Sequence, residues 1–250
     1  ELGGEQQMIS LGERNEGYLA KVGEPLIQFY GYKTCGVWNS AEEIAANPHF
    51  SDDAPGGIRI VDTNNDGSLT PEDRVALGTP YPDFTWGITN TFQIKDFDIS
   101  FLIQGVQGIT VLNGDVYYNE TKKWNKKYTK NRWVSAEHPG DGKTPYQNVK
   151  TGHDLMLTDY PLQNASYACL RNFTVGYTLP ATAARKIKLS GVRFYVSGSN
   201  LLYIWGSGYK GINPESRMTS GNYSSAMISG YQRGGFPLTS TISAGFDINF

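Results

Sequence analysis

Cysteine is nearly absent. Only Cys35 and Cys169 occur among the 250 residues, far apart and in no CxxC pattern. Two unpaired thiols on strands is the preferred reading and a disulfide the alternative, so they do not fix a redox compartment. Histidine is as scarce: His49, His138 and His153 share no metal-ligand spacing. No HExxH or Ser-His-Asp arrangement is visible, and the acids form no pair distinguishable from solvated loop carboxylates. A hydrolase therefore has only generic Asp and Glu residues in its favour. No run of about 18 apolar residues exists, which excludes a transmembrane helix. It leaves a membrane barrel open, whose segments are about ten residues long and only half apolar. A formal charge of -2 gives no sign of nucleic acid. The first residue, Glu1, is neither Met nor the start of a signal sequence, so the chain reads as a processed or truncated piece.

What is present points to β-structure. Hydrophobic residues make up 39% of the chain and aromatics 13%, with sixteen Tyr, five Trp and 29 Gly. That suffices for one domain with a sizeable core. The sharpest pattern is Phe84 to Gln107. Phe84, Trp86, Ile88, Phe92 and Ile94 fall on one side, interrupted only by Asn90, while Thr85, Gly87, Thr89, Thr91 and Gln93 fall on the other. After Lys95-Asp96 the alternation resumes, with Phe97, Ile99, Phe101 and Ile103 against Asp98, Ser100 and Gln104; Leu102 is the exception. Side chains alternate across a strand, so this is a tight hairpin with one oily and one wet face. Two environments accept it. A soluble sandwich would bury the oily face under a second sheet. A transmembrane barrel would turn it to lipid. The hairpin alone does not choose.

Elsewhere, Met8 to Leu11 is a weak strand candidate, Leu26 to Trp38 a clearer one, and Ala41 to Ala46 a short helical turn. Ile58 to Val61 reads as strand. It leads into Asp62-Thr-Asn64-Asn-Asp66-Gly67-Ser68, followed at the twelfth loop position by Asp73. Oxygen side chains at positions 1, 3, 5 and 12 with Gly at 6 match the calcium-loop pattern. A hard cation wants several oxygens, and Gly67 permits the sharp turn that gathers them. The candidate ligands are Asp62, Asn64, Asp66, Ser68 (through its carbonyl) and Asp73, with Ca2+ in a structural role. The competing reading is an Asx-rich turn without metal. The strand before the loop argues against a true EF-hand.

Residues 108 to 159 read as a long mixed connection, with a helical turn over 111 to 119. Within it, 121 to 132 is basic (Lys122, Lys123, Lys126, Lys127, Lys130, Arg132), interleaved with Trp124, Tyr128 and Trp133. A nucleic-acid surface is the less favoured reading; a solvated loop face is preferred. So long a structureless stretch argues against a compact soluble domain and suits the long loops of an outer-membrane barrel. Strands follow over 166 to 178 and 192 to 202, joined by a short basic helical connection, and 206 to 237 is a second long loop. Ile242, Ala244, Phe246, Ile248 and Phe250 then alternate with polar or small residues up to the last position.

Together these stretches resemble the C-terminal part of SusC/RagA-type TonB-linked outer-membrane transporters. The resemblance rests on Val22-Gly-Glu-Pro-Leu with Phe29-Tyr-Gly-Tyr, and on Val61-Asp-Thr-Asn-Asn-Asp-Gly through Pro71-Glu-Asp-Arg. It continues in Leu77-Gly-Thr-Pro-Tyr-Pro-Asp-Phe-Thr-Trp-Gly and in Phe97-Asp-Ile-Ser-Phe with Gln104-Gly-Val-Gln-Gly. Leu170-Arg-Asn-Phe-Thr-Val-Gly-Tyr-Thr-Leu-Pro, Val192-Arg-Phe-Tyr-Val-Ser-Gly-Ser-Asn-Leu-Leu and the closing strand complete it. The loops between match poorly.

The resemblance implies an all-β fold: an antiparallel transmembrane β-barrel sector, residues 1–250, with long extracellular loops at 108–165 and 205–239. It implies import of glycans or peptides across the bacterial outer membrane, without enzymatic chemistry. The implied partners are a SusD-like surface lipoprotein, the TonB complex through a missing N-terminal part, and outer-membrane lipid. Trp124, Tyr128 and Trp133 become candidate contacts with substrate or lid. Plugged barrels have about 22 strands. About six are expected here, and the plug is absent from the chain. The alternative is a soluble, calcium-stabilised β-sandwich that binds glycan.

Overall fold

The computed structural model describes residues 6–10, 17–116, 130–146, 155–206, 208–216 and 230–250. The chain divides into two compact units.

The unit formed by Pro82–Gly108, Ala165–Pro214 and Phe236–Phe250 carries the long strands. Phe84–Ile94, Phe97–Gln107, Tyr167–Thr178, Gly191–Trp205 and Thr241–Asn249 form one antiparallel sheet. Five strands make it. The two-residue turn Lys95-Asp96 closes the first hairpin, with Lys95 at a φ of 55°.

Register carries the alternation of each strand across the whole sheet. Ile94, Phe97, Tyr177, Phe194 and Phe246 stand in one cross-strand row. The next row on the same face is Phe92, Ile99, Val175, Val196 and Ala244. Between them, on the opposite face, run Gln93, Asp98, Gly176, Tyr195 and Gly245. A sandwich would cover the apolar rows. Instead Ile88 is 51% exposed, Phe194 50% and Phe246 64%. Open apolar rows of this length are what a bilayer accepts and water does not.

The other unit, Glu1–Tyr81, Ile109–Asn164 and Glu215–Gly235, has its own core. Gln6–Ser10, Gly17–Lys21, Gln28–Gly31 and Val75–Gly78 pair in that order. Thr34–Val37 pairs with Ile58–Ile60, and Thr110–Asn113 lies between Leu162–Asn164 and Tyr231–Gln232. One apolar cluster joins Tyr18, Ile27, Phe29, Leu112, Met156 and Tyr231. A second joins Tyr32, Val37, Ile58, Ile60, Trp133 and Leu155.

Several expectations need correction here. The strand expected over 26 to 38 is two short ones. Residues 110–113 are strand rather than helical turn, followed by one short turn of helix at Gly114–Val116. The long mixed connection is not structureless: Val111, Leu112, Val116 and Leu155 are among its buried residues. Short strands buried on both faces lack the two-residue alternation that would have revealed them.

Candidate functional site

Three arrangements carry chemistry: the wet face of the long sheet, the acidic loop, and the aromatic segment.

On the wet face, Arg193 donates from Nε to Asp98 Oδ1 at 3.0 Å and from Nη2 to Asp98 Oδ2 at 2.7 Å. It also reaches Asp247 Oδ2 at 3.4 Å. Asp98 and Arg193 lie on strands separated by Tyr167–Thr178, so the bidentate pair crosses that strand at Gly176. A Cβ there would collide with both partners. Further along, the register shifts between Leu170 and Asn172 toward both neighbouring strands. Such a bulge re-aims a side chain. Arg171 joins Asn172 on the wet face and donates to Gln104 Oε1 (3.2 Å), Asn200 Oδ1 (2.8 Å) and the Tyr203 hydroxyl (3.0 Å). Sequence reasoning missed both networks. Their signal was there in part: opposite charges at the polar positions of alternating strands.

The acidic loop is closed by its own hydrogen bonds. Asp62 accepts from the backbone N–H of Asn65 (2.7 Å) and Gly67 (2.9 Å). Gly67 sits at a φ of 85°, the left-handed region glycine favours. Asp66 accepts from Ser68 N–H and from the Asn64 amide. Asp73 is fully buried and accepts from the N–H groups of Thr63 and Thr70, each at 2.8 Å. Burial alone would raise its carboxyl; the N–H groups of Thr70, Thr63 and Asn64 outweigh that and hold it below the usual carboxylate range. The Asp62 side chain also bears on the Asp73 carboxyl. As placed, however, no three His, Cys, Asp or Glu side chains among the described residues are gathered to hold a metal.

Of the aromatic candidates, Trp124 and Tyr128 lie outside the described residues. Trp133 is 9% exposed, packed in the second cluster and edge-on to Tyr146. Its indole N–H donates to Asn39 Oδ1 at 3.2 Å. That placement anchors a loop and leaves little ring face to offer. Nearby, Asp159 Oδ1 accepts from Thr34 N–H (3.0 Å) and Thr34 Oγ1 (2.6 Å). Burial nonetheless pushes the Asp159 carboxyl up. Both cysteines are free thiols, Cys35 exposed and Cys169 buried.

No protein-family model matches the chain. It is 31% identical over 239 residues to a TonB-dependent receptor of Formosa agariphila, covering 92% of this chain and 23% of that protein. A second receptor of the same organism is 30% identical over 240 residues, covering 93% and 23%. The TonB-dependent receptor SusC of Bacteroides thetaiotaomicron is 26% identical over 208 residues, covering 83% and 19%. The fold is similar to the RagAB peptide transporter, with a TM-score of 0.72, 18% identity, and coverage of 100% of this chain and 25% of that one. The closed-closed RagAB peptide importer gives 0.68 at 20% identity, again over 100% and 25%. The chain thus spans about a quarter of the length of these relatives.

Sheet and likeness together define a strand sector of a bacterial outer-membrane β-barrel. The chain belongs to the SusC/RagA type of TonB-dependent receptor. These relatives are receptors and transporters, not enzymes.

Proposed function

We propose that this chain forms one wall of a barrel that imports large nutrients, glycans or peptides, through the outer membrane. A SusD-like surface lipoprotein covers the outer mouth and TonB supplies the energy. The observation that carries this reading is the two-faced sheet: apolar rows from Phe84 to Phe246 open to the outside, and a charged, hydrogen-bonded face opposite. In this reading the short connections at 95–96 and 181–190 face the periplasm. The residues 62–73, 108–165 and 205–239 face outward, and Trp124 and Tyr128 meet substrate or lid. Uptake of labelled glycan and peptide mixtures by cells carrying the full-length receptor tests it. Uptake should require both TonB and the SusD-like lipoprotein. Uptake unchanged without TonB contradicts it.

A second reading concerns the acidic loop, whose spacing and Gly67 turn support structural Ca2+. Asp62, Asn64, Asp66, Asp73 and the Ser68 carbonyl would supply oxygens, once exposed Asp66 turns its carboxylate from Asn64 and Ser68 toward Asp62.

A further inference from the structure

We propose that the turn end of the sheet binds an anionic phospholipid, acyl chain in a groove and phosphate among four cations. The proposal rests on the barrel reading above.

A groove of about 360 Å³ is lined by Val175, Tyr177, Phe194, Val196 and Ala244, over the strand backbone at Gly176 and Gly245. It arises because the row containing Phe92 and Ile99 shrinks to Val175, Val196 and Ala244, while the adjacent row keeps rings at Tyr177, Phe194 and Phe246. The sides are apolar and the groove opens on the apolar face. An acyl chain matches that chemistry.

The charge lies at the same end. Tyr177 precedes the short helix Ala181–Lys186 by four residues, and Phe194 follows Gly191, where the next strand begins, by three. The helix contacts that next strand, and Ala184 and Val192 are both buried. Val192 shares the face of Phe194 and Val196 by alternation, on the strand that the helix contacts. Arg185, Lys186 and Lys188 are all exposed, with exposed Ile187 among them. Lys95 joins them from the hairpin turn at the same end of the sheet. None of these four cations forms an ion pair among the described residues. Exposed isoleucine between unpaired cations is the pattern of a segment lying in a headgroup layer. Val175 lies three positions before Thr178, the last residue of its strand, roughly 10 Å from the turn end, so the groove opens close to the end that carries the cations.

The test uses purified, delipidated full-length receptor, with bound lipid counted by native mass spectrometry. Phosphatidylglycerol and phosphatidylcholine are compared, with inorganic phosphate as competitor. The wild-type protein should retain phosphatidylglycerol in preference to phosphatidylcholine, and inorganic phosphate should not displace it. The triple variant Arg185→Gln, Lys186→Gln, Lys188→Gln should weaken phosphatidylglycerol binding roughly tenfold. Ala244→Trp, which fills the groove and leaves every cation, should weaken both lipids. Equal retention of both lipids by the wild type, or unchanged binding in both variants, overturns the proposal. Displacement by inorganic phosphate alone would make it a phosphate site and also overturn it. Insertion into bilayers is scored separately: a receptor that inserts but shows no lipid preference fails here and leaves the barrel reading standing.

Discussion

Arg193 grips Asp98 from two strands away, and the ion pair passes over Gly176 on the strand between them. A methyl group there would stand where the two charged groups meet, and the ends of both side chains would have to move aside for it. Gly176→Ala should therefore loosen the pair and destabilise the full-length receptor by up to about 1 kcal/mol, the scale of a part-exposed ion pair. Urea unfolding in micelles measures it. A neutral result would mean that the pair re-forms freely around the methyl and does not tie the three strands.

Of the two roles open to Trp133, contact with substrate or lid and anchoring of its own loop, its place in a core cluster and its bond to Asn39 fit the second. Trp133→Ala should cost about 3–5 kcal/mol, as large-to-small changes in cores do. Thermal melting should show the loss even without substrate or lipoprotein. Wild-type stability with reduced ligand affinity would restore the recognition role.

Asp159 gives a pH dependence with a defined sign. Its folded-state carboxyl holds a proton more tightly than the unfolded one, because burial outweighs the two hydrogen bonds from Thr34. The folded state thus binds more protons in the window that opens near the ordinary value of about 3.9. Stability falls as pH rises through that window and stays lower above it. Asp159→Asn keeps an oxygen for Thr34 and removes the titration. It should flatten this part of the melting-temperature profile and match or exceed wild type above it. A variant with the same slope as wild type would assign the dependence elsewhere.

The acidic loop separates into two testable parts. Asp73→Ala leaves the buried N–H groups of Thr63 and Thr70 without an acceptor and should cost about 1–3 kcal/mol, with or without calcium. Asp66→Asn should weaken calcium binding in a calorimetric titration and loosen the loop while leaving the barrel folded. If wild-type protein takes up no calcium at millimolar concentration, the loop is a self-closed turn, as its internal hydrogen bonds already permit.

The long strands were legible because lipid on one side and water on the other impose a strict two-residue period, and Phe84 to Gln107 obeys it almost without exception. The terminal strand and the Tyr167–Thr178 strand were legible for the same reason. Tyr18, Leu19 and Ala20 are buried together in a strand that shows no alternation, so that strand went unread. The bulge at Arg171 left no local mark, because it is a shift against two partner strands. Arg193 and Asp98 lie 95 residues apart, and only the register brings them over one glycine. The acidic loop shows the converse: its spacing was plain in the sequence, but spacing does not say whether the oxygens face an ion or their own backbone.

The central claim is that neighbouring residues on one strand face different solvents. Ile88 and Thr89 test it directly, since both are exposed and lie on opposite faces near the middle of their strand. In full-length receptor with Cys35 and Cys169 replaced by Ser, nitroxide labels at Ile88→Cys and Thr89→Cys would be read in bilayers. The relaxing agents are oxygen, which concentrates in hydrocarbon, and a water-soluble nickel chelate. The account predicts strong oxygen and weak nickel relaxation at 88, and the reverse at 89. Equal nickel access at both positions, or a label at 88 shielded from oxygen and nickel alike, would contradict it.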